Sequence, residues 1–289
     1  NIDDYNIVAH VEDDANLAIK DLISTNGINF IHTESILARI LVQACRDPGL
    51  SAIYMDLLDF SGDEIYFTDE KSFIGKKFHE ILFYYDESIV IGIYNSKEKK
   101  STLSPDFNYM IKPDDKIILI SEDDSTIKVS NKNINIKKNL IVKESKQIQK
   151  ADNILILGYN NLVPKIIKGL DNYSAKGSTI TIIDNIKINN IDNKLIENTT
   201  NQKIIFKNGS ISSRIFLNTI DFNKYNHVVI LPQLDLYDIE EADAKILVIL
   251  LYLRDIIKIH NYNFKISTQI NSAKNKALIN INNVSDFVV

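Results

Sequence analysis

Acidic residues gathered on loops are the groups in this sequence best suited to chemistry. Asp59, Asp63 and Glu64 fall in one short stretch, Asp13 and Asp14 are adjacent, and Glu122, Asp123 and Asp124 form an unbroken run. A hard cation such as Ca2+ needs several oxygens converging from loops of this kind. None of the three has the spacing of an EF-hand loop, and a solvated acidic surface uses the same residues. The sequence therefore names them as candidates for a divalent cation. Asp59, Asp63 and Glu64 lead, because they lie at a junction where a ligand could change an angle.

A second constellation has the layout of a nucleotide turn. Ile154 to Leu157 is a fully apolar run closed by Gly158, and Thr179 to Ile183 ends in Asp184. A dinucleotide fold puts its first glycine and its ribose-gripping acid at such positions. The second glycine, which lets the backbone approach pyrophosphate, is missing. Tyr159, Asn160, Asn161 and Leu162 follow Gly158, and Pro164 sits at the helix start. Gly158 and Asp184 are thus the candidate cofactor residues of a degenerate turn, NAD is not expected there, and the scaffold reading is that of a lobe kept for packing.

Catalytic patterns are absent. Histidines 10, 32, 79, 227 and 260 lack metal-ligand spacing, and the chain has no G-x-S-x-G elbow and no P-loop. His10 and His227 sit in or beside strands, where neutral packed imidazoles are the common case. The single cysteine, Cys45, lies on an apolar helix and reads as a small buried hydrophobe rather than a nucleophile. One cysteine permits no disulfide framework, which fits a reducing compartment.

The 289 residues suffice for about two domains, and 45% hydrophobic with 25% charged content is ordinary for a globular protein. The net charge of −5 hides an asymmetry: −13 over residues 1–127, +6 over 128–150 and +2 over 151–289. An acidic first half without a basic aromatic stripe argues against nucleic acid. The longest apolar run, Ile246 to Leu253, is too short for a membrane span.

The elements that position these residues follow from periodicity. Ile7 to Val11 and Phe30-Ile31 read as strands. Leu17 to Ile23 reads as a helix ended by Asn26-Gly27. A further helix starts at Thr33, its expected N-cap, with Ile36, Leu37, Ile40, Leu41 and Ala44 on one face. A smaller α+β region follows, with strands at Ile65 to Phe67, Ser88 to Tyr94 and Lys116 to Ser121 and one helix within Phe73 to Phe83. Alternation resumes at Asn153. Strands are expected at Ile154 to Leu157, Thr179 to Ile183, Ile204 to Phe206, His227 to Leu231 and Phe264 to Ile270, and helices at Val163 to Leu170 and Glu240 to Ile259. That is a doubly wound parallel sheet. The last helix is apolar around much of its circumference, so it is either core or a subunit contact.

A weak repeat lies over these elements. Residues 10–19 match 269–278, with Asn16 over Asn275 and Ala18 over Ala277, and Gly27 to Ile31 matches Val284 to Val288. The chain is expected to begin late in one α/β lobe and to end at nearly the same place in a second, as a piece of a longer protein.

Five segments, in order, resemble ion channels of the CASTOR/POLLUX type. Ala38 to Leu50 (ARILVQACRDPGL) is similar to that family's R-x-x-x-Q-x-x-x-x-P-G-L helix end. Asp56 to Glu64 (DLLDFSGDE) resembles the start of its small lobe. Leu103 to Asp124 resembles its N-P…G-D…E-D-D segment, with Ser104 for Asn and Asp114 for Gly. Ile156 to Asn160 resembles its L-G-W-N turn. Glu241 to Ile256 (EADAKILVILLYLRDI) resembles its A-D-x-x-x-L…L-R-D-I helix.

The resemblance implies tandem RCK domains (regulators of potassium conductance). The fold expected is α/β, with two Rossmann-like lobes. Residues 1–56 would be the C-terminal part of the first lobe, 57–127 a small α+β lobe, 128–150 a Lys/Asn-rich connector, and 151–289 the second lobe, truncated at its end. It also implies the cytosolic, ligand-sensing gating region of a cation (potassium or calcium) channel, with no enzymatic activity. The partners would be further copies in a homo-oligomeric ring and a membrane pore, on the same chain or a separate subunit. A soluble TrkA-like regulatory subunit of a potassium transporter is the alternative. An NAD-dependent oxidoreductase is the third reading, lacking a full Gly-rich turn.

Overall fold

The computed structural model describes residues 7–11, 28–46, 50–59, 62–130, 137–140, 150–185, 199–272, 274–275 and 286–288. Asp13, Asp14, the helix expected over Leu17 to Ile23 and most of the 128–150 connector lie outside them. The chain forms two compact units, Asn1–Ser51 with Gln147–Val289, and Ala52–Lys146.

The larger unit is built on six parallel strands: β7 (Asn153–Leu157), β8 (Ser178–Asp184), β9 (Gln202–Asn208), β10 (His227–Ile230), β11 (Lys265–Thr268) and β12 (Asp286–Val288), in spatial order β12-β11-β10-β7-β8-β9. The chain runs outward from β7 to β9, then crosses back to β10 on the other side of β7. This reversal is the switch point of a doubly wound sheet. β7 pairs on both edges, Ile154 with Ile180 of β8 and with His227 of β10. The run of four apolar residues in β7 follows from burial on both faces.

Each face needs a helical cover. On one side lies α6 (Ile239–His260), whose Ile246, Ile249, Leu250 and Leu253 pack on Leu155, Val228 and Ile266. Asp238 caps it by accepting the Glu241 N–H at 2.8 Å, and Asn261 ends it in the left-handed conformation. On the other side lie α4 (Leu162–Asp171) and α1 (Thr33–Arg46), which share one core with Ile156, Ile180 and Val229. Leu41 and Ala38 of α1 and Ile166 and Ile167 of α4 are fully buried there. Gly169 lets the two helices close up, since a Cβ there would meet Val42 Cγ2 at 2.9 Å. Lys165 and Glu34 bridge them at 2.5 Å.

Two short strands precede α1: β1 (Ile7–Val11) and β2 (Ile28–His32), paired in parallel with Ile7 opposite Ile28. β11 and β12 repeat this arrangement, with Ile266 opposite Asp286. The start of α1 differs from expectation by one residue. Thr33 is already helical, and His32 Nδ1 accepts the Ser35 N–H at 3.2 Å. An imidazole thereby does the work of the expected threonine oxygen.

The smaller unit opens with α2 (Leu50–Leu58) and forms an antiparallel sheet of β3 (Glu64–Thr68), β4 (Ile89–Asn95), β5 (Lys100–Leu103) and β6 (Asp115–Ser121), in order β3-β6-β4-β5. Phe73, Phe78, Ile81 and Tyr85 pack on Val90, Ile117 and Leu119. The single helix expected within Phe73 to Phe83 is instead a 3-10 turn, Lys71–Phe73, and a short α3, Phe78–Ile81. Gly75, at φ +83°, turns the chain between them and donates its N–H to Ile111 O. β5 was not expected. All four of its residues are exposed on the sheet edge, so no apolar alternation marks it.

At the N-terminal end of the large sheet, Cys45, Asp152, Ile154, Tyr173 and His227 line a cavity of about 30 Å3, which is room for water and little else. His227 is buried. Its Nε2 lies 2.8 Å from Ser267 Oγ, while Nδ1 has no hydrogen-bond partner. Burial, and then the Lys265 charge, push the imidazole down to about 3. Burial pushes the Cys45 thiol far up, with Asp152 adding to it. Burial thus disfavours the thiolate that a nucleophile needs, and it makes the neutral imidazole a weak base.

Two outcomes are expected. Leu41→Ala should cost ~2–5 kcal/mol of unfolding free energy in urea, whereas Ile36→Ala on the exposed side of α1 should stay within ~0.5 kcal/mol. His227 is neutral when folded and protonated when unfolded between about 6.5 and about 3, so its contribution is complete above 6.5 and is lost as pH falls through that window. His227→Asn should flatten the pH dependence there by ~1.4 kcal/mol per pH unit. Equal slopes in the two proteins would show that the imidazole titrates alike in both states.

Candidate functional site

Ligands of doubly wound sheets bind outside the C-terminal ends of the strands, at the switch point. Here that crevice is framed by the turns after β7 and β10 and by the ends of β8 and β9. Gly158 ends β7 at φ +95°. A Cβ at this position would stand 2.4 Å from Leu231 O, so the glycine is required by the approach of its own neighbouring strand. Its N–H donates to Ile183 O at 2.9 Å.

Asp184 ends β8 beside it, 3% exposed. Its Oδ2 accepts the Tyr159 N–H at 2.6 Å and its Oδ1 accepts Gln233 Nε2 at 2.7 Å. The two residues named from sequence as cofactor candidates are therefore brought together, through the Tyr159 amide. Gln233, which completes the arrangement, was not found from sequence. It follows β10 in a Leu-Pro-Gln stretch, and nothing in one sequence marks an amide side chain as the partner of a distant carboxylate.

The start of α4 is equally self-contained. Asn160 is buried, and its Oδ1 accepts the Leu162 N–H at 3.0 Å while its Nδ2 donates to Pro232 O at 3.0 Å. The Asn160 carbonyl accepts the Val163 N–H at 3.1 Å. Pro164, next in line, has no N–H to offer. Gly209, after β9, lies against the Phe216 ring: a Cβ there would fall 1.9 Å from the ring edge.

The remaining acids have other employment. Asp243, fully buried in α6, accepts the backbone N–H groups of Asn271 and Ser272 at 3.0 and 2.9 Å and the Asn275 side chain at 3.2 Å. It anchors the segment after β11. Asp171 closes α4 in the same manner. Burial raises its pKa, but the N–H groups of Thr200 and Asn201 outweigh that and hold it below the usual carboxylate range.

In the smaller unit, Asp59 lies in the turn after α2, Gly62 N–H donates to Asp59 O at 3.0 Å, and Glu64 accepts the Tyr66 hydroxyl at 2.8 Å. That bond, then burial, pushes Tyr66 up to about 12. Asp123 accepts the Ser125 N–H at 2.8 Å, and hydrogen bonding to Ser125 holds it below the usual range. Among the described residues no group of three or more His, Cys, Asp and Glu side chains is arranged to hold a metal ion.

Residues 34–137 match the family model described as "Castor and Pollux, part of voltage-gated ion channel". The chain is 24% identical over 258 residues to "Probable ion channel POLLUX" of Oryza sativa subsp. japonica, covering 86% of this chain and 27% of that protein. To "Ion channel CASTOR" of Lotus japonicus it is 24% identical over 258 residues, covering 86% and 30%. It thus spans under a third of the relatives it matches. The human SLO3 gating ring superposes with a TM-score of 0.68 at 12% identity, over 98% of this chain and 62% of that one, which shows the shared RCK-type fold. Through the family segment at residues 34–137 and channel relatives along most of its length, the chain is similar to CASTOR/POLLUX-type ion channels, and it shares the RCK-type α/β fold.

Proposed function

We propose that this chain is a cytosolic ligand-sensing and gating region of a CASTOR/POLLUX-like cation channel. The observation that supports it best is the position of α1. The helix that leaves β2 is built into the core of the doubly wound lobe, with Leu41 and Val42 against Ile166 and Leu170. A displacement of β1 and β2 is thereby passed to a second α/β lobe through packed side chains rather than a slack linker. Gating would be a population shift: a ligand that binds one arrangement better changes the open fraction by that difference in affinity. Among the described residues no helix is long and apolar enough to cross a membrane; in this reading the pore is a separate part of the full-length protein.

Ring assembly has a matching surface. The inner side of α6 is core, but Val248, Leu251 and Ile259 on its outer side are 40–62% exposed, and Ile215 of the short helix α5 (Arg214–Leu217) is 82% exposed. Arg214 ties α5 to α6 through Asp255 at 2.6 Å. An apolar strip of this kind suits contact with another copy.

The full-length protein in planar bilayers is expected to conduct cations. Gly169→Leu, which wedges α1 from α4, should change the open fraction severalfold. A full-length protein that inserts but passes no ions would reject the reading. For assembly, Leu251→Lys should weaken self-association about tenfold or more in sedimentation, and an unchanged association constant would remove α6 from the interface.

A further inference from the structure

We infer that the nucleotide crevice of the doubly wound lobe is filled by the lobe's own groups at each of the three places where a dinucleotide would be held, and that the segment after β10 acts as an internal substitute for ligand. A dinucleotide needs the free N–H groups at the N-terminus of the first helix for pyrophosphate, an acid at the end of the second strand for the ribose, and open space beside the turn that follows the third strand. Each of these requirements meets a specific obstacle.

At the first place, the Leu162 N–H is taken by Asn160 Oδ1 at 3.0 Å and the Val163 N–H by the Asn160 carbonyl at 3.1 Å, and Pro164 contributes no donor. Asn160 is 7% exposed and is tied to Pro232 O by its other end, so it cannot swing aside without breaking a second buried bond. At the second, both Asp184 oxygens are engaged, and Gln233 Nε2, at 2.7 Å, occupies the donor position of a ribose hydroxyl. Gln233 is itself 8% exposed. At the third, the Phe216 ring lies in contact with Gly209.

The segment that does this is short and anchored. Leu231 O rests on Gly158, Pro232 O accepts from Asn160, the Gln233 side chain reaches Asp184, and the Gln233 carbonyl accepts the Leu236 and Tyr237 N–H groups at 3.1 and 3.2 Å just before α6 begins. Displacing it would break the buried Gln233–Asp184 and Asn160–Pro232 hydrogen bonds, a costly loss for polar groups away from water. The lobe keeps the fold of a nucleotide binder, while residues 231–237 hold its two halves together as ligand does elsewhere. This holds whether or not the chain gates a pore. If it does, the signal does not enter through this crevice.

The test is hydrogen–deuterium exchange on the chain alone and with millimolar NAD+ or AMP. Neither nucleotide should slow exchange at the Tyr159, Leu162 or Val163 amides. Protection of those amides by either one would overturn the inference, and this arm does not depend on any variant. In the second arm, Gln233→Ala removes the amide from Asp184. Exchange at the Tyr159 amide should then rise about tenfold, with the amides of β4, in the other unit, unchanged. A Tyr159 amide that exchanges as in the wild type would show that the segment after β10 does not hold the crevice shut.

Discussion

A parallel sheet buried on both faces must be covered on both, and this constraint organises the molecule. The doubly wound lobe supplies α6 for one face but only α4 for much of the other. The cover is completed by α1, which the chain makes before it enters the smaller unit. Leu41, Ala38 and Ala44 are as buried as the strand residues beneath them. The segment before residue 51 and the segment after residue 147 are thus one compact unit. The close approach at Gly169 and the Lys165–Glu34 pair fix where α1 lies on α4, but the apolar area it covers is the dominant contribution.

Buried carboxylates serve this lobe as joints. Asp171 and Asp184 end their elements and Asp243 lies near the start of its helix, and each accepts at least one backbone N–H from a loop far away in sequence. A carboxylate can accept several bonds at once, and bonds to a charged acceptor are stronger than neutral ones. Each acid therefore satisfies amides that would otherwise be buried without partners, and pins a loop that carries no regular structure.

The comparison with channel proteins and the state of the crevice fit together physically. RCK-type lobes share a Rossmann-like architecture, but a fold does not carry its ligand with it; the groups in the site decide. Here Asn160, Gln233 and Phe216 stand where a nucleotide would have to be. The hydrogen bonds that ligand would make at the end of such a sheet are made instead by a segment of the same chain.

The sequence by itself determined most of the element types, the doubly wound class of fold and the resemblance to CASTOR/POLLUX-type channels. These depend on local periodicity, on turn residues and on strings such as ARILVQACRDPGL, all of which are legible one position at a time. It missed β5, whose edge residues bury nothing, and it merged the 3-10 turn and α3, because Gly75 at φ +83° breaks a pattern that apolar spacing alone would continue. It singled out Gly158 and Asp184, since strand ends are readable. Only the tertiary structure decided what these two do: Gly158 makes room for Leu231, and Asp184 binds the Tyr159 amide and Gln233. Those partners are far away in sequence, and hydrogen bonding between distant residues leaves no periodic trace in the chain that encodes it.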